Sequence, residues 1–283
     1  MKKKWAERIG FALLSSAAVL VILFLGIIIW DIISKGVGVI SWQFLTQSPR
    51  EGMTEGGIFP AILGTFLVSL ITVVFAVPLG MFAAIYLHEY ALPGRMTRLI
   101  RLAIRNLSGV PSIVYGLFGV VLFVQMMKLG TSVLSAGLTL GLLTLPWTIT
   151  ASEEALKTVP KSYREGALAL GATKWYAIRT NVLPYAVPGM LTGVILGLAR
   201  AAGETAPILF TGAAFFLPHL PKSLFDQFMA LPYHLYILAT QHHDIAKVRP
   251  IAYGTALVLL GLILLLSTSA IYFRYRYRQR MRS

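Results

Sequence analysis

An arginine and a glutamate stand four residues apart inside a long apolar stretch of this chain. Arg200 and Glu204 belong to the segment ARAAGETAP, residues 199–207, within the apolar run 182–217. An arginine at the centre of a membrane helix costs about 2.5 to 3.5 kcal/mol on insertion scales, so it usually faces a protein interior or a water-filled path. Its guanidinium is always charged and offers a fork of donors that matches two oxygens of an oxyanion. The pair therefore predicts an anion-handling site within the membrane.

A purely structural role is the alternative, in which the two charges only neutralise each other. The order Arg before Glu is the less favourable one on a helix, and such pairs contribute about 0.2 to 0.5 kcal/mol in isolated helices. Pro207 cannot donate to the carbonyl of Gly203, so we expect the helix to kink or end between Gly203 and Ala206. We carry forward the hypothesis that Arg200 and Glu204 line a substrate path beside this kink.

Membrane helices are the elements that must position this pair. The chain has 283 residues, 57% of them hydrophobic and 13% charged, with a mean hydropathy of +0.74, whereas soluble domains are about 25% charged. A hydrocarbon core needs roughly 20 helical residues to cross. Six apolar runs approach that length: residues 9–33, 58–87, 111–127, 133–150, 182–217 and 251–273. Because the runs are continuously apolar, we predict an all-α, polytopic membrane protein with six transmembrane helices.

The basic residues predict how these spans are oriented. Most of them precede the first span or follow the second, fourth and sixth: Lys2, Lys3, Lys4, Arg8, Arg95, Arg98, Arg101, Arg105, Lys157, Lys161, Arg164, Lys174, Arg179, Arg274, Arg276, Arg278, Arg280 and Arg282. By the positive-inside rule, both termini and these loops lie in the cytoplasm. The net charge of +14 therefore points to membrane topology and not to a nucleic-acid partner. A seventh crossing would place the C-terminal arginines on the outer side of the membrane, against the positive-inside rule. We therefore expect run 182–217 to be one kinked span with a short re-entrant or interfacial continuation.

The longest cytoplasmic loop, residues 152–184, carries a spaced motif. Pro160 is suited to open a short helix and Gly171 to end it, and a second short helix follows. The residues that define the motif are Glu165, Gly166, Ala167, Leu168, Gly171, Asn181, Leu183 and Pro184. On pattern alone this segment is either an amphipathic surface connector or a small helix that seats in the groove of a partner.

This motif resembles the EAA motif of ABC importer permeases, Glu-Ala-Ala-x3-Gly-x9-Ile-x-Leu-Pro. Gly166 replaces the first alanine and Asn181 replaces the isoleucine. With segments 108–119 and 199–216 and the six-span layout, the resemblance to the phosphate-specific branch extends over most of the chain. It implies the MetI-like fold of type I importers, with an N-terminal membrane helix at 1–33, a permease core at 58–273 and a coupling loop at 152–184.

The resemblance also implies partners and roles. The motif residues would couple the chain to an ATPase dimer that binds ATP and Mg²⁺, beside a sister permease subunit and an extracytoplasmic phosphate-binding protein. The complex would import inorganic phosphate across the bacterial cytoplasmic membrane. Arg200 would line the path with a basic partner from the sister subunit, because one cation cannot offset a divalent phosphate. Glu204 would hold or release Arg200 as the path opens and closes.

Several other chemistries have no support in the sequence. It contains no Gly-x4-Gly-Lys-Ser/Thr loop, so we predict no ATP hydrolysis by this chain, no cofactor and no catalytic residues. Zero cysteines exclude disulfides and thiolate metal sites. The four histidines of the last outer loop, 218–250, lack the i, i+4 spacing of a metal helix. We expect them to be solvated and predict no metal site.

Two rival transporters are weighed. A sulfate or molybdate permease of the same superfamily has a similar Arg-x3-Glu block, typically followed by Phe-Gly where this chain has Thr205-Ala206-Pro207, so phosphate is favoured. A secondary transporter would need coupling-ion sites and an internal repeat of broken helices. The sequence shows one broken helix and no repeat, and this makes the secondary transporter the weaker alternative.

Overall fold

The computed structural model describes residues 2–217 and 219–280. For residues 2–8 and 280 the description covers the backbone only, so the N-terminal lysines and Arg280 contribute no described side chain. Arg282, which supports the predicted orientation, lies outside the described residues. The orientation of the termini and the division into 1–33, 58–273 and 152–184 therefore stay predictions.

The described chain is mainly helical, as predicted for an all-α protein. The α-helices are α1 (Lys2–Gly36), α2 (Trp42–Thr46), α3 (Phe59–Ile85), α4 (Arg95–Leu107), α5 (Ser112–Gly119), α6 (Val133–Lys157), α7 (Lys161–Ala169), α8 (Lys174–Ala177), α9 (Leu183–Gly203), α10 (Ala206–Thr211), α11 (Leu231–Thr240) and α12 (Ile245–Arg280). Wider π-helical turns extend α3, α5 and α8 over Tyr86–Tyr90, Val120–Met126 and Ile178–Val182. A small antiparallel hairpin pairs β1 (Pro49–Arg50) with β2 (Glu55–Gly56) in the first outer loop.

Five helices of the described residues are long and apolar enough to cross a membrane. They are Ile9–Val39, Phe59–Tyr90, Val133–Lys157, Lys174–Gly203 and Ile245–Gln279. The predicted third span becomes a sixth crossing only when Ser112–Met126 is joined to Arg95–Leu107, and these two helices meet at 103°. The bend has a physical reason, since α4 is amphipathic and carries four arginines, and such a helix favours the membrane surface over its interior.

The centre of the bundle is built from α3, α6 and α9. Small residues let these helices approach closely, as expected for packing within a membrane. A methyl group added at Gly193 of α9 would stand 2.1 Å from the Cβ atom of Ala151 on α6, and one added at Gly80 of α3 would stand 2.7 Å from the Thr148 methyl. These close approaches fix α6 against both α3 and α9.

The last outer loop corrects one prediction about histidines. His219 and His243 are exposed, but His234 and His242 are buried, so the expectation of solvated histidines is wrong for these two. The reason is helix α11, whose apolar side packs inward and carries His234 with it. The neutral ring of His242 donates from Nε2 to the Gly52 carbonyl at 2.8 Å and accepts from the Asp244 amide at 3.1 Å. Burial lowers the pKa of His234 to about 4, so it stays neutral at ordinary pH.

Candidate functional site

The break after α9 determines where the charged pair lies. The helix ends at Gly203, Glu204 caps it with extended backbone angles (φ −74°, ψ 133°), and α10 begins at Ala206 with Pro207 in its first turn. Pro207 is buried, and its Cα atom lies 3.0 Å from the position that a methyl group on Gly116 of α5 would take. The side chain of Glu204 therefore leaves the backbone at a fixed interruption between two helices.

Arg200 and Glu204 form a loose ion pair at this break. Nε of Arg200 and Oε1 of Glu204 are 3.4 Å apart, and the side chains are 46% and 18% exposed. The guanidinium also lies over the ring of Trp147 on α6, 5.2 Å from the centroid. In residues 2–217 and 219–280 the guanidinium makes no further hydrogen bond, although it has five N–H donors. The pair named as the structural alternative is thus present, and it leaves most of the Arg200 donors available.

Glu204 borders a small cavity inside the bundle that is lined mainly by apolar side chains. Thr65 and Ser69 of α3 line it together with Glu204, and its volume of about 10 Å³ is close to the space of a single water. The Thr65 hydroxyl donates to the Ala61 carbonyl and accepts from the Leu231 amide, both at 2.8 Å. Glu204 therefore has a mainly apolar cavity on one side, with the hydroxyl groups of Thr65 and Ser69 in its lining, and Arg200 as its charged partner.

Arg200 belongs to a stripe of exposed residues on α9. Tyr185, Gly189, Leu196 and Arg200 are exposed at intervals of four, seven and four residues, which places them on one helical stripe. We call Tyr185, Gly189, Thr192, Leu196 and Arg200 the open stripe of α9. The described chain covers the stripe only in part, since Arg274 donates to Thr192 and Tyr163 lies against Tyr185, while Leu196 and Arg200 stay exposed. The exposed part is a surface toward which a second subunit or a path can lie.

The predicted coupling segment forms a capped helix. α7 begins after Pro160 and ends at Ala169, and Gly171, two residues later, has a left-handed φ of +80°. The Gly171 amide donates to the Leu168 carbonyl at 3.0 Å and the Ala172 amide to the Ala167 carbonyl at 3.1 Å. These two bonds form the Schellman arrangement that satisfies the last carbonyls of a helix.

The motif residues divide into an outward set and an inward set. Glu165, Gly166 and Leu168 are exposed on α7, whereas Ala167 is buried. Leu183 and Pro184 open α9 directly after the π-helical turn Ile178–Val182. The short helix therefore presents a small and apolar surface outward, while the end of the motif continues into the helix that carries Arg200.

Sequence reasoning missed a clamp between this segment and the membrane helices. Arg164 of α7 donates to both oxygens of Glu89 at the end of the second span, with distances of 2.6, 3.0 and 3.2 Å. The same guanidinium donates to the carbonyls of Val159 at 3.0 Å and Leu156 at 3.2 Å. The side chains are only 19% and 6% exposed. We call this the Glu89–Arg164 clamp, and it joins α7 to the ends of both α3 and α6.

A second ion pair lies beside the clamp. Nε of Arg101 on α4 is 2.7 Å from Oε1 of Glu153 on α6, and another of its N–H groups donates to the Leu87 carbonyl at 2.8 Å. Sequence analysis treated Arg101 as one of many topology-setting charges and assigned no role to Glu89. Seventy-five residues separate Glu89 from Arg164, and no local spacing links residues that far apart.

Gly166 within α7 and Gly171 just after it provide a matched test of the cap at the C-terminal end of this helix. Gly171→Ala should destabilise the end of the helix by about 1 to 2 kcal/mol, because a side chain disfavours the left-handed conformation. Gly166→Ala should instead stabilise the helix by about 0.5 to 1 kcal/mol, since Gly166 is helical and a methyl group there meets no atom within 4 Å. Hydrogen exchange of amides 161–172 in the purified protein measures both effects. Equal protection in the two variants would contradict the proposed role of the cap.

Comparison with known proteins agrees with this arrangement. The profile of the family described as "Binding-protein-dependent transport system inner membrane component" matches residues 76–283. The chain is 31% identical to the probable ABC transporter permease protein YqgI of Bacillus subtilis (strain 168), over 95% of each chain. It is 35% identical to the phosphate transport system permease protein PstA 1 of Mycobacterium tuberculosis (strain ATCC 25618 / H37Rv), over 90% of this chain and 83% of that protein.

A solved structure shares the fold. The crystal structure of a bacterial ABC transporter involved in the import of the acidic polysaccharide alginate aligns with a TM-score of 0.64 at 15% identity, over 91% of this chain and 95% of that chain. This likeness concerns the fold alone, and it agrees with the predicted importer-permease architecture. By its sequence match over residues 76–283 and its long relatives, the chain belongs to the family of binding-protein-dependent transport system inner membrane components.

Proposed function

We propose that this chain is the permease subunit of an ABC importer for inorganic phosphate. Relatives named as phosphate transport permeases support the substrate. The observation that carries the proposal is Arg200, an arginine of a membrane helix with most donors available on the open stripe of α9. An arginine with unused donors at such a position suits an oxyanion and gives no advantage to a neutral solute.

The loose pair with Glu204 suits a site that must bind and release. In the resting state Glu204 neutralises Arg200 at 3.4 Å, which reduces the cost of a cation within the membrane. An arriving phosphate competes for the guanidinium with two oxygens, while Trp147 keeps the planar group oriented at 5.2 Å from its ring. Because one cation offsets only half of a divalent phosphate, a basic residue of the sister subunit completes the site.

The exposed side of α7 serves as the docking surface for the ATPase. Gly166 permits close approach of a partner, and Leu168 supplies an apolar anchor. ATP and Mg²⁺ belong to that partner, so this chain contributes no catalytic group. The proposed complex has a PstC-like sister permease, a PstB-like ATPase dimer and a PstS-like phosphate-binding protein. It lies in the bacterial cytoplasmic membrane, among its lipids, and it has no nucleic-acid partner.

Uptake by the reconstituted complex tests this function. Vesicles that contain the chain with its proposed ATPase, sister permease and binding protein should accumulate radioactive phosphate only when ATP is present on the ATPase side. A tenfold excess of unlabelled sulfate or molybdate should leave phosphate uptake unchanged, and an ATPase variant unable to hydrolyse ATP is the control. Uptake of sulfate or molybdate in place of phosphate would overturn the proposal in favour of the sulfate-type permease.

A further inference from the structure

A basic groove lies between α9 and α12, at the end of α9 opposite to Arg200. We call it the basic groove; the residues used below are Tyr163, Thr180, Tyr185, Thr192, Arg274 and Arg278. Its volume is about 810 Å³, which far exceeds the space that a phosphate ion needs. Among the described residues that line it, the polar side chains are arginine, tyrosine, threonine and asparagine, with no carboxylate. The groove is therefore rich in hydrogen-bond donors and carries net positive charge.

One of its arginines is held in place by the bundle. Nη1 of Arg274 donates to the hydroxyl oxygen of Thr192 at 2.7 Å, and that hydroxyl donates in turn to the Pro188 carbonyl at 3.1 Å. Within the described residues this is the hydrogen bond that Arg274 makes, so most of its five N–H donors remain for a ligand. Arg278 follows one turn later on α12 and is exposed. Two guanidinium groups thus lie together, one oriented and one adjustable.

The groove continues the open stripe that carries Arg200. Tyr185, Gly189 and Thr192 belong both to the stripe and to the groove lining. Thr192 and Arg200 are eight residues apart on α9, a rise of about 12 Å. An anion that leaves Arg200 along this side of the helix therefore arrives next at the Thr192–Arg274 pair.

The predicted coupling helix forms one wall of the groove. Tyr163 of α7 lies against Tyr185 of α9, with ring centroids 5.2 Å apart, and both rings line the groove. Since α7 carries the exposed motif residues, a displacement of α7 by a docked partner changes the shape of the groove directly. In the proposed importer, the groove therefore lies beside both the helix that docks on the ATPase and the path of the anion.

We infer that the basic groove is a second phosphate site, at the inner end of the path, where the ion is held before it leaves to the cytoplasm. This inference rests on the proposed function, because it takes the ion that Arg200 handles as its ligand. Phosphate and the head group of an anionic lipid share the chemistry that such a site recognises. Continuity with the open stripe and the wall formed by α7 favour the transported ion.

Cysteine protection tests the site, because the chain has no cysteine of its own. Thr180→Cys introduces one thiol on an exposed residue of the groove. The complete importer is placed in phosphatidylcholine vesicles with the ATPase side outward, and maleimide attachment to this chain is followed by peptide mass spectrometry. Inorganic phosphate should slow the attachment at least fivefold relative to chloride. Asn181→Cys serves as a second reporter should Thr180→Cys assemble poorly.

Two arginine variants distinguish phosphate binding at the groove from a non-specific effect of positive charge on α12. Arg274→Gln should abolish the protection by phosphate. Arg276→Gln removes the same charge from the same helix but should keep the protection, because Arg276 stacks on Tyr272 at 5.4 Å and does not line the groove. Equal loss in both variants would overturn the inference, and so would an absence of protection by phosphate in the parent.

Two further measurements complete the experiment: one adds an anionic lipid to the vesicles, and the other uses the Arg200→Gln variant. Protection that follows the addition of phosphatidylglycerol and ignores phosphate would identify a lipid site and overturn the inference. In Arg200→Gln the protection at position 180 should persist when phosphate is added from the ATPase side. Normal phosphate transport by the Arg200→Gln importer, with protection at position 180 retained, would refute the path role of Arg200 but not the groove site. If phosphate gives no protection although uptake depends on Arg200, the groove site is refuted and the path role is not.

Discussion

An importer that carries Arg200→Gln is expected to take up phosphate about 10 to 100 times more slowly than the parent. The guanidinium supplies charge-assisted hydrogen bonds to the ion, and each such bond contributes about 1.5 to 3 kcal/mol, where 1.4 kcal/mol is a factor of ten in rate. Glutamine is polar but shorter and uncharged, so the variant loses both the charge and the guanidinium that lies 5.2 Å from the Trp147 ring. Uptake of radioactive phosphate into vesicles, normalised to the amount of assembled complex, measures the effect.

Three further variants define the origin of that loss. Arg200→Lys keeps the charge without the planar fork and should retain part of the uptake. Glu204→Gln should impair transport more than assembly, because the partner at 3.4 Å is then neutral and no longer competes with the ion. Arg276→Gln, outside the open stripe, is the control. Normal uptake by Arg200→Gln at normal protein levels would refute the path role and leave the structural ion pair.

Breaking the Glu89–Arg164 clamp is expected to uncouple transport from ATP hydrolysis. Removal of one partner of a buried ion pair typically costs about 3 to 5 kcal/mol, and the 19% exposure of Arg164 points to the lower end of that range. Glu89→Ala leaves the Arg164 guanidinium with two carbonyl partners only, so α7 loses its strongest tie to α3. The importer should unfold at lower temperature and move fewer phosphate ions per ATP hydrolysed.

A surface pair at the same end of α6 is the matched control. Lys157 and Glu154 are also 2.7 Å apart, but their side chains are 42% and 59% exposed, and such pairs contribute about 0 to 1 kcal/mol. Glu154→Ala should therefore leave the ratio of phosphate to ATP unchanged. The exchange Glu89→Arg with Arg164→Glu should recover part of the coupling. Equal ratios in the Glu89→Ala and Glu154→Ala proteins would show that the clamp has no part in coupling.

Short sequence patterns correctly predicted the helices and helix ends that depend on neighbouring residues. Continuous apolar runs indicated the membrane helices, because burial in lipid demands an apolar surface over a fixed length. Pro160 and Gly171 bounded α7, since a proline suits a helix start and a glycine suits the left-handed residue after a helix end. These features depend on the few residues next to them, so a single sequence contains the information.

Features that depend on distant residues escaped prediction. The clamp joins residues 75 positions apart, and the basic groove combines residues of α7, α9 and α12. His234 and His242 lie in an outer loop, yet His234 is buried with the inner side of α11 and His242 is buried just after that helix. In each case tertiary packing, which no local pattern encodes, decides the outcome.

The exposure of Arg200 on α9 has a consequence for the assembly of the subunit. In the proposed importer, a second subunit that packs against the half-exposed Arg200 removes it from lipid, where an intramembrane arginine is costly. The same side chain therefore favours assembly with the partner as well as transport of the ion.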